Sequence, residues 1–210
     1  IEKIISTPVN TLSMKYRYME NEKLNPYITS EVLPTNEEII YEYDNMGNVV
    51  KVLTTAIDLD ENQETSFFKM GIEYKYDIFN RLELETHYSS PNKKIKEIKY
   101  EYDEFGNIVY KTSRLFRYDK DGNEKIEQIK HKYCYGNNKL TSILKEIPLE
   151  EEMSYENVCS IEYDNMYPKK ITKNNIDYEL EWEGKKLIRC GNIEFEYNEE
   201  GQRIKKITSD

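Results

Sequence analysis

The sequence predicts an all-β protein, a tandem array of β-hairpins joined into one curved, twisted antiparallel sheet. Three observations lead there. The segment YEYDEFGNIVYKT at residues 100 to 112 has close relatives all along the chain, and internal self-similarity is the strongest sequence signature of a repeat architecture. Residues alternate between two faces within each copy, and no stretch shows convincing helical periodicity. Only 38% of residues are hydrophobic against 33% charged, while nineteen tyrosines supply much of the apolar area. Burial should therefore be thin: tyrosine keeps a polar tip, so such a sheet can have a wet face and still gain from cross-strand aromatic packing.

Each copy reads as strand, tight turn, strand. Tyr100 and Tyr102 are two apart and share one face of an extended chain. Asp103 suits the first position of a type I turn, where its carboxylate accepts from main-chain N–H groups, and Gly106 the fourth, where φ is positive. Ile108 and Tyr110 resume the alternation, after a G1 bulge. The same unit is spelled YEYDNMGNVVKV from Tyr41, YKYDIFNRLELET from Tyr74, FRYDKDGNEKI from Phe116 and FEYNEEGQRIKKI from Phe195.

Three weaker copies change the turn: HKYCYGNNKLTSI from His131, IEYDNMYPKKITK from Ile161 and YELEWEGKKLIRC from Tyr178. Asn80 and Asn137 stand where glycine would, and asparagine tolerates the left-handed region best after glycine. Glu183 and Gly184 should form a two-residue loop of the primed type. Pro168 pushes Tyr167 toward extended geometry, so that turn must be built differently. YRYMENEKL from Tyr16 lacks both aspartate and glycine and counts as degenerate.

Eight such units, with Tyr-Asp, two variable residues and Gly followed by Asn or Arg as their theme, resemble the YD-repeat or RHS-repeat family of bacterial wall-associated proteins and polymorphic-toxin shells. The resemblance runs from Tyr41 to Ile207. It implies a long antiparallel sheet that spirals, here as an open spiral or a partly closed shell. In the larger toxin members an Asp-Pro-x-Gly self-cleavage segment and a toxin follow the shell. This sequence stops at ITSD directly after a repeat, so neither protease nor toxin activity is carried over. The first residue is not methionine, and we expect a processed product or a fragment of a longer repeat protein.

Taken in order, residues 1 to 40 hold Pro8, Pro26 and Pro34 and should form an irregular hairpin that caps a sheet edge. Residues 41 to 210 should form one continuous hairpin array. Successive turn aspartates are 33 residues apart from Asp44 to Asp77, then 26 to Asp103 and 16 to Asp119, an unevenness we assign to the return connections. AIDLDENQETSFF (56 to 68) and KEIPLEEEMSYEN (145 to 157) are acidic inserts expected to project at one rim, with LEEEMS able to carry one helical turn.

Chemistry is harder to find than architecture. With a net charge of −10 and no sustained basic run, a nucleic-acid phosphate backbone is excluded as a partner. No apolar stretch is long enough to cross a bilayer, and IEKIISTPVN is no signal peptide. Cys134, Cys159 and Cys190 have neither zinc spacing nor the number for a full disulfide framework. An oxidising compartment would leave room for one disulfide and one free thiol. DKDGNE, Asp119 to Glu124, alternates oxygen ligands like a short calcium loop but lacks the distal glutamate, and its Asp119 and Gly122 already occupy turn positions. Asp44, Asp77, Asp103, Asp119 and Asp164 recur in equivalent places, whereas a catalytic pair needs two different environments. His87 and His131 are isolated.

No catalytic, metal or cofactor residue is therefore assigned, and no cofactor is expected. The expected role is a non-enzymatic scaffold, a section of a secreted or cell-surface bacterial protein that encloses or presents another domain. Its partners would be the rest of a longer repeat protein or an associated toxin or effector. The alternative is a carbohydrate-binding or adhesion module, in which the tyrosine face and Trp182 stack on sugar rings. Lys205 and Lys206 should protect the C-terminal edge, which leads us to expect a monomer or weak dimer.

Overall fold

The structure, a computed structural model, describes residues 2–6, 11–18, 27–35, 37–60, 63–148 and 153–208. Every regular element among them is a β-strand, as the alternation required. The chain divides into two compact units, residues 1–100 with 112–128, and residues 101–111 with 129–210.

The first unit runs through β1 (Glu2–Ser6), β2 (Thr11–Tyr18), β3 (Ile28–Val32), β4 (Glu37–Tyr43), β5 (Val49–Asp60), β6 (Gln63–Tyr76), β7 (Leu82–Ser90) and β8 (Lys93–Tyr102). Each pairs antiparallel with the next. β9 (Ile108–Tyr118) and β10 (Glu124–Gly136) give residues to both units. In the second unit β10 is followed by β11 (Lys139–Pro148), β12 (Met153–Asp164), β13 (Tyr167–Lys173), β14 (Ile176–Glu183), β15 (Lys186–Cys190), β16 (Ile193–Tyr197) and β17 (Arg203–Thr208), again each antiparallel to its successor. Within residues 1 to 40, expected to be irregular, the described segments supply β1, β2, β3 and the start of β4. The turn of the Tyr16 copy and the prolines Pro8 and Pro26 lie outside the described residues.

The uneven repeat spacing has a cause other than loop length. The acidic insert AIDLDENQETSFF is built as strand: β5 and β6 run into it as paired arms as far as Asp60 opposite Gln63. KEIPLEEEMSYEN likewise extends β11 and β12, with Pro148 opposite Met153. The LEEEMS residues that are described, Met153 and Ser154, belong to β12. The interval of 16 residues is one strand instead of two, because Asp103 and Asp119 stand at the two ends of β9. Lys93 Nζ lies 4.9 Å from the Tyr118 ring centroid, which puts the Asp119 turn beside the β7–β8 return turn.

Burial is as thin as the composition implied. Ile98, at 5% exposure, is the one hydrophobic residue enclosed to that degree among the described residues, accompanied by Ser30, Thr86 and Thr112. The tyrosines of the strands are mostly half-buried, so stability rests on hydrogen-bonded ladders and aromatic contacts spread along the array.

Candidate functional site

The recurring turn is a hydrogen-bonded cage around one carboxylate. Asp103 Oδ1 accepts from Phe105 N at 2.9 Å and Asn107 N at 2.8 Å, and Oδ2 from Asn107 Nδ2 at 3.0 Å. Its main chain closes the loop, with Gly106 N donating to Asp103 O and Asp103 N to Asn107 O. Asp44 with Asn48 and Asp119 with Asn123 repeat the same contacts. At Asp77 the Arg81 guanidinium takes the place of the carboxamide, at 2.7 Å. The carboxamide four residues on is the main reason why Asp44, Asp103 and Asp119 are held below the ordinary aspartate pKa. These hydrogen bonds give each carboxylate, that of Asp119 included, a place in the turn it belongs to. Asn198 forms the fifth cage, with Gln202 as its partner. Asp164, expected among the turn aspartates, instead ends β12 opposite Tyr167.

The expected positive φ is found at Gly47, Gly106, Gly122 and Gly201, between 80° and 87°, and at Asn80 at 63°. The three weaker copies use two-residue loops. Asn137 and Asn138 both have positive φ, the type I′ requirement. Asn165 and Met166 join Asp164 to Tyr167, the different turn that Pro168 demanded. The third loop consists of Gly184 and Lys185, one residue beyond the expected Glu183 and Gly184, because Glu183 still pairs with Lys186.

Immediately before six of these turns stands an aromatic that ties its hairpin to the previous one. Tyr43 OH donates to Ile28 O at 2.8 Å, Tyr76 OH to Val49 O at 2.9 Å and Tyr135 OH to Ile108 O at 2.9 Å. Tyr163 OH reaches Leu140 O at 3.0 Å and Tyr197 OH reaches Leu187 O at 2.9 Å. Trp182 fills this place in its own hairpin: its indole N–H donates to Pro168 O at 2.8 Å and its ring lies against Tyr167, centroids 5.0 Å apart. Each such bond contributes about 1 kcal/mol net. The residue before the acceptor can cover the same ring, as Lys139 does over Tyr163 at 5.1 Å and Lys186 over Tyr197 at 5.7 Å.

Among the described residues, an open groove and a pair of apolar turn tips stand outside this framework. Trp182 and Tyr167 line an open groove of about 490 Å³ in the second unit, with Leu180 and Pro168 as apolar walls and Asp164, Asn165 and Lys169 as polar ones. In the first unit the turn tips Met46, Ile78 and Phe79 are 72%, 93% and 71% exposed. These two turns are neighbours, since Asn48 and Asn80 exchange side-chain hydrogen bonds at 2.5 and 3.3 Å. The turn does not require apolar tips, because the Asp119 turn places Asp121 where the others carry Met46 and Phe79.

The histidines are separate. His87 Nε2 lies against Glu85 Oε1, while His131 is opposite Lys145 and near Lys111. Partial burial, with those two lysines, holds the His131 pKa below the ordinary histidine value. A base whose folded pKa is depressed resists protonation, so its contribution to stability is complete above the unfolded pKa of about 6.5 and is lost as pH falls from there through the folded value. Melting temperature should accordingly fall between pH 7.5 and 5.5 and flatten in His131→Gln; an unchanged slope in that variant would assign the effect elsewhere. Cys134, Cys159 and Cys190 are all free thiols. Cys134 shares its cross-strand row with Ser142 and Ser160, so neighbouring Cys159 falls on the opposite face.

No protein-family model matches the sequence, and no curated protein matches it. Among solved structures, a DUF3836 family protein from Bacteroides vulgatus is similar over 45% of this chain and 97% of its own, at 17% identity and a TM-score of 0.30. The Tc holotoxin pore of Photorhabdus luminescens is similar over 95% of this chain, at 13% identity and a TM-score of 0.29. A TcdB2–TccC3 structure is similar over 94%, at 12% identity and a TM-score of 0.29. This chain spans 13% of the length of each of those two toxin-complex chains.

Sequence reasoning did not find the pre-turn aromatic as an inter-hairpin donor. The signal was present, since an aromatic precedes every one of these turns, but its acceptor is a main-chain carbonyl and leaves no trace in residue identity.

Proposed function

We propose that the protein is a non-enzymatic scaffold, a YD-repeat section of a secreted or cell-surface bacterial protein that encloses or presents another domain. The observation that carries this reading is the use made of its side chains. The turn carboxylates of Asp44, Asp77, Asp103 and Asp119 accept hydrogen bonds from their own loops, and the pre-turn aromatics Tyr76, Tyr135 and Tyr163 are tied to the preceding hairpin. The residues that recur are thus the ones that build and link hairpins, which is what an array needs whatever it carries. In this reading the partner is the rest of a longer repeat protein or an associated toxin or effector domain. The apolar tips at Met46, Ile78 and Phe79 are a surface on which that partner can rest.

The test is co-expression with the polypeptide encoded beside this segment in its own gene. The two should elute together, and the partner should resist a protease that digests it when expressed alone. Separate elution with equal digestion would overturn the scaffold reading.

A carbohydrate-binding module is the second reading, and the groove beside Trp182 and Tyr167 favours it, because aromatic faces flanked by an acid, an amide and an amine suit a sugar ring. A saturable glycan response that Trp182→Ala abolishes would support it; a blank glycan panel would remove it.

A further inference from the structure

Tyr41, Tyr74 and Tyr133 hold the same place in three hairpins, two residues before the pre-turn tyrosines Tyr43, Tyr76 and Tyr135. Burial raises the pKa of all three phenols, and a neighbouring carboxylate adds to it at two of them, Glu31 at Tyr41 and Glu85 at Tyr74. At Tyr133 burial acts alone. Among the described residues its hydroxyl donates to nothing.

What surrounds it is basic. Tyr133 and His131 are two apart in β10 and share one face. Across β11, Tyr133 pairs with Ile143 and His131 with Lys145, so Lys145 is on that face too. β9 pairs with the other side of β10, and from it Lys111 acts on His131 together with Lys145. Like charges set opposite one another weaken a sheet, and elsewhere in this unit a carboxylate offsets the lysine. Lys130 has Glu146 at 3.3 Å, Lys170 has Asp177 at 2.8 Å and Lys205 has Glu196 at 3.1 Å. Lys145 forms no ion pair among the described residues. Its own partner across β12 is Glu156, on the side away from His131. Lys111, His131, Tyr133 and Lys145 are all half-buried, so solvent reaches each of them.

We propose that Lys111, His131, Tyr133 and Lys145 bind a small carboxylate anion, which takes beside Tyr133 the place that Glu31 and Glu85 hold beside Tyr41 and Tyr74. The Tyr133 hydroxyl, kept neutral by its raised pKa, donates to one carboxylate oxygen in a charge-assisted bond, and the two lysines supply the opposing charge. Two lysines less Glu156 leave one net positive charge while His131 is neutral, and its protonation adds a second. Binding therefore strengthens as pH falls through the His131 value, and by reciprocity the bound anion raises that value.

The test follows the His131 and Tyr133 ring resonances of the full chain while sodium acetate replaces sodium chloride at constant ionic strength. Acetate should shift both rings saturably and bind at least about threefold tighter at pH 5.5 than at pH 8. It should also raise the His131 pKa by about 0.5, the same coupling read from the other side. Tyr133→Phe removes one hydroxyl, keeps the ring and should weaken acetate at least about fivefold. Lys145→Gln should abolish the response and Glu156→Gln should tighten it; if Lys145→Gln fails to fold, Tyr133→Phe decides. No saturable shift, an affinity equal at the two pH values, or undiminished binding by Tyr133→Phe would each overturn the assignment.

Discussion

Gly47→Asn should destabilise the protein by about 2–3 kcal/mol, whereas Gly106→Asn should cost about 1 kcal/mol or less. The two glycines occupy the same turn position with the same backbone, φ 86° and 87°, and asparagine tolerates that region. Backbone strain alone therefore predicts equal effects. Their surroundings differ. Nothing lies within 4 Å of a Cβ built at Gly106, but one built at Gly47 falls 2.0 Å from the Tyr27 hydroxyl. Tyr27 would have to leave, and with it the stacked contact with Tyr43 at 4.7 Å. Valine should be worse than asparagine at both sites, because a β-branched residue resists positive φ. Denaturant melts of the four variants decide the matter; equal losses at Gly47 and Gly106 would show that Tyr27 does not enforce the glycine.

That pair marks where the sequence was legible and where it was not. The all-β class, the hairpin unit, the aspartate cage and the left-handed glycines follow from local rules, because a turn is written in the residues that form it. Asn80 and Asn137 could be assigned for the same reason. What failed needed knowledge of neighbours. Asp164 looks like the other turn aspartates, yet it stays paired with Tyr167 across a two-residue loop, one residue shorter than the loop that the cage needs. The uneven repeat interval was assigned to the return connections, and only the strand count shows Asp119 at the opposite end of β9 from Asp103. Gly71 carries no turn signal at all; a Cβ there would meet Phe68 Cζ at 3.1 Å, and Phe68 comes onto that face through a bulge at Lys69, which depends on pairing register. The same limit applies to Trp182, whose sequence suggested a free binding platform and whose indole N–H is engaged by Pro168.

Trp182→Ala should cost about 2–3 kcal/mol, less than the loss of about 3–5 kcal/mol for a fully buried aromatic because the ring is only half-buried. Two contributions make up the loss, and a second variant separates them. Trp182→Phe keeps a ring against Tyr167, at 5.0 Å in the native pair, but removes the donor to Pro168 O, and should cost about 1 kcal/mol. Tyr76→Phe removes the equivalent bond to Val49 O in the first unit and should cost a similar amount, since the two donors do the same work in different hairpins. Circular dichroism melts give all three numbers without using the tryptophan signal that two of the variants lose. If Trp182→Ala fell within about 0.5 kcal/mol of wild type, the range of an ordinary surface substitution, the indole would hold nothing together. Its face would then be free for a ligand, and the scaffold reading would lose its explanation for the residue most easily mistaken for a sugar platform.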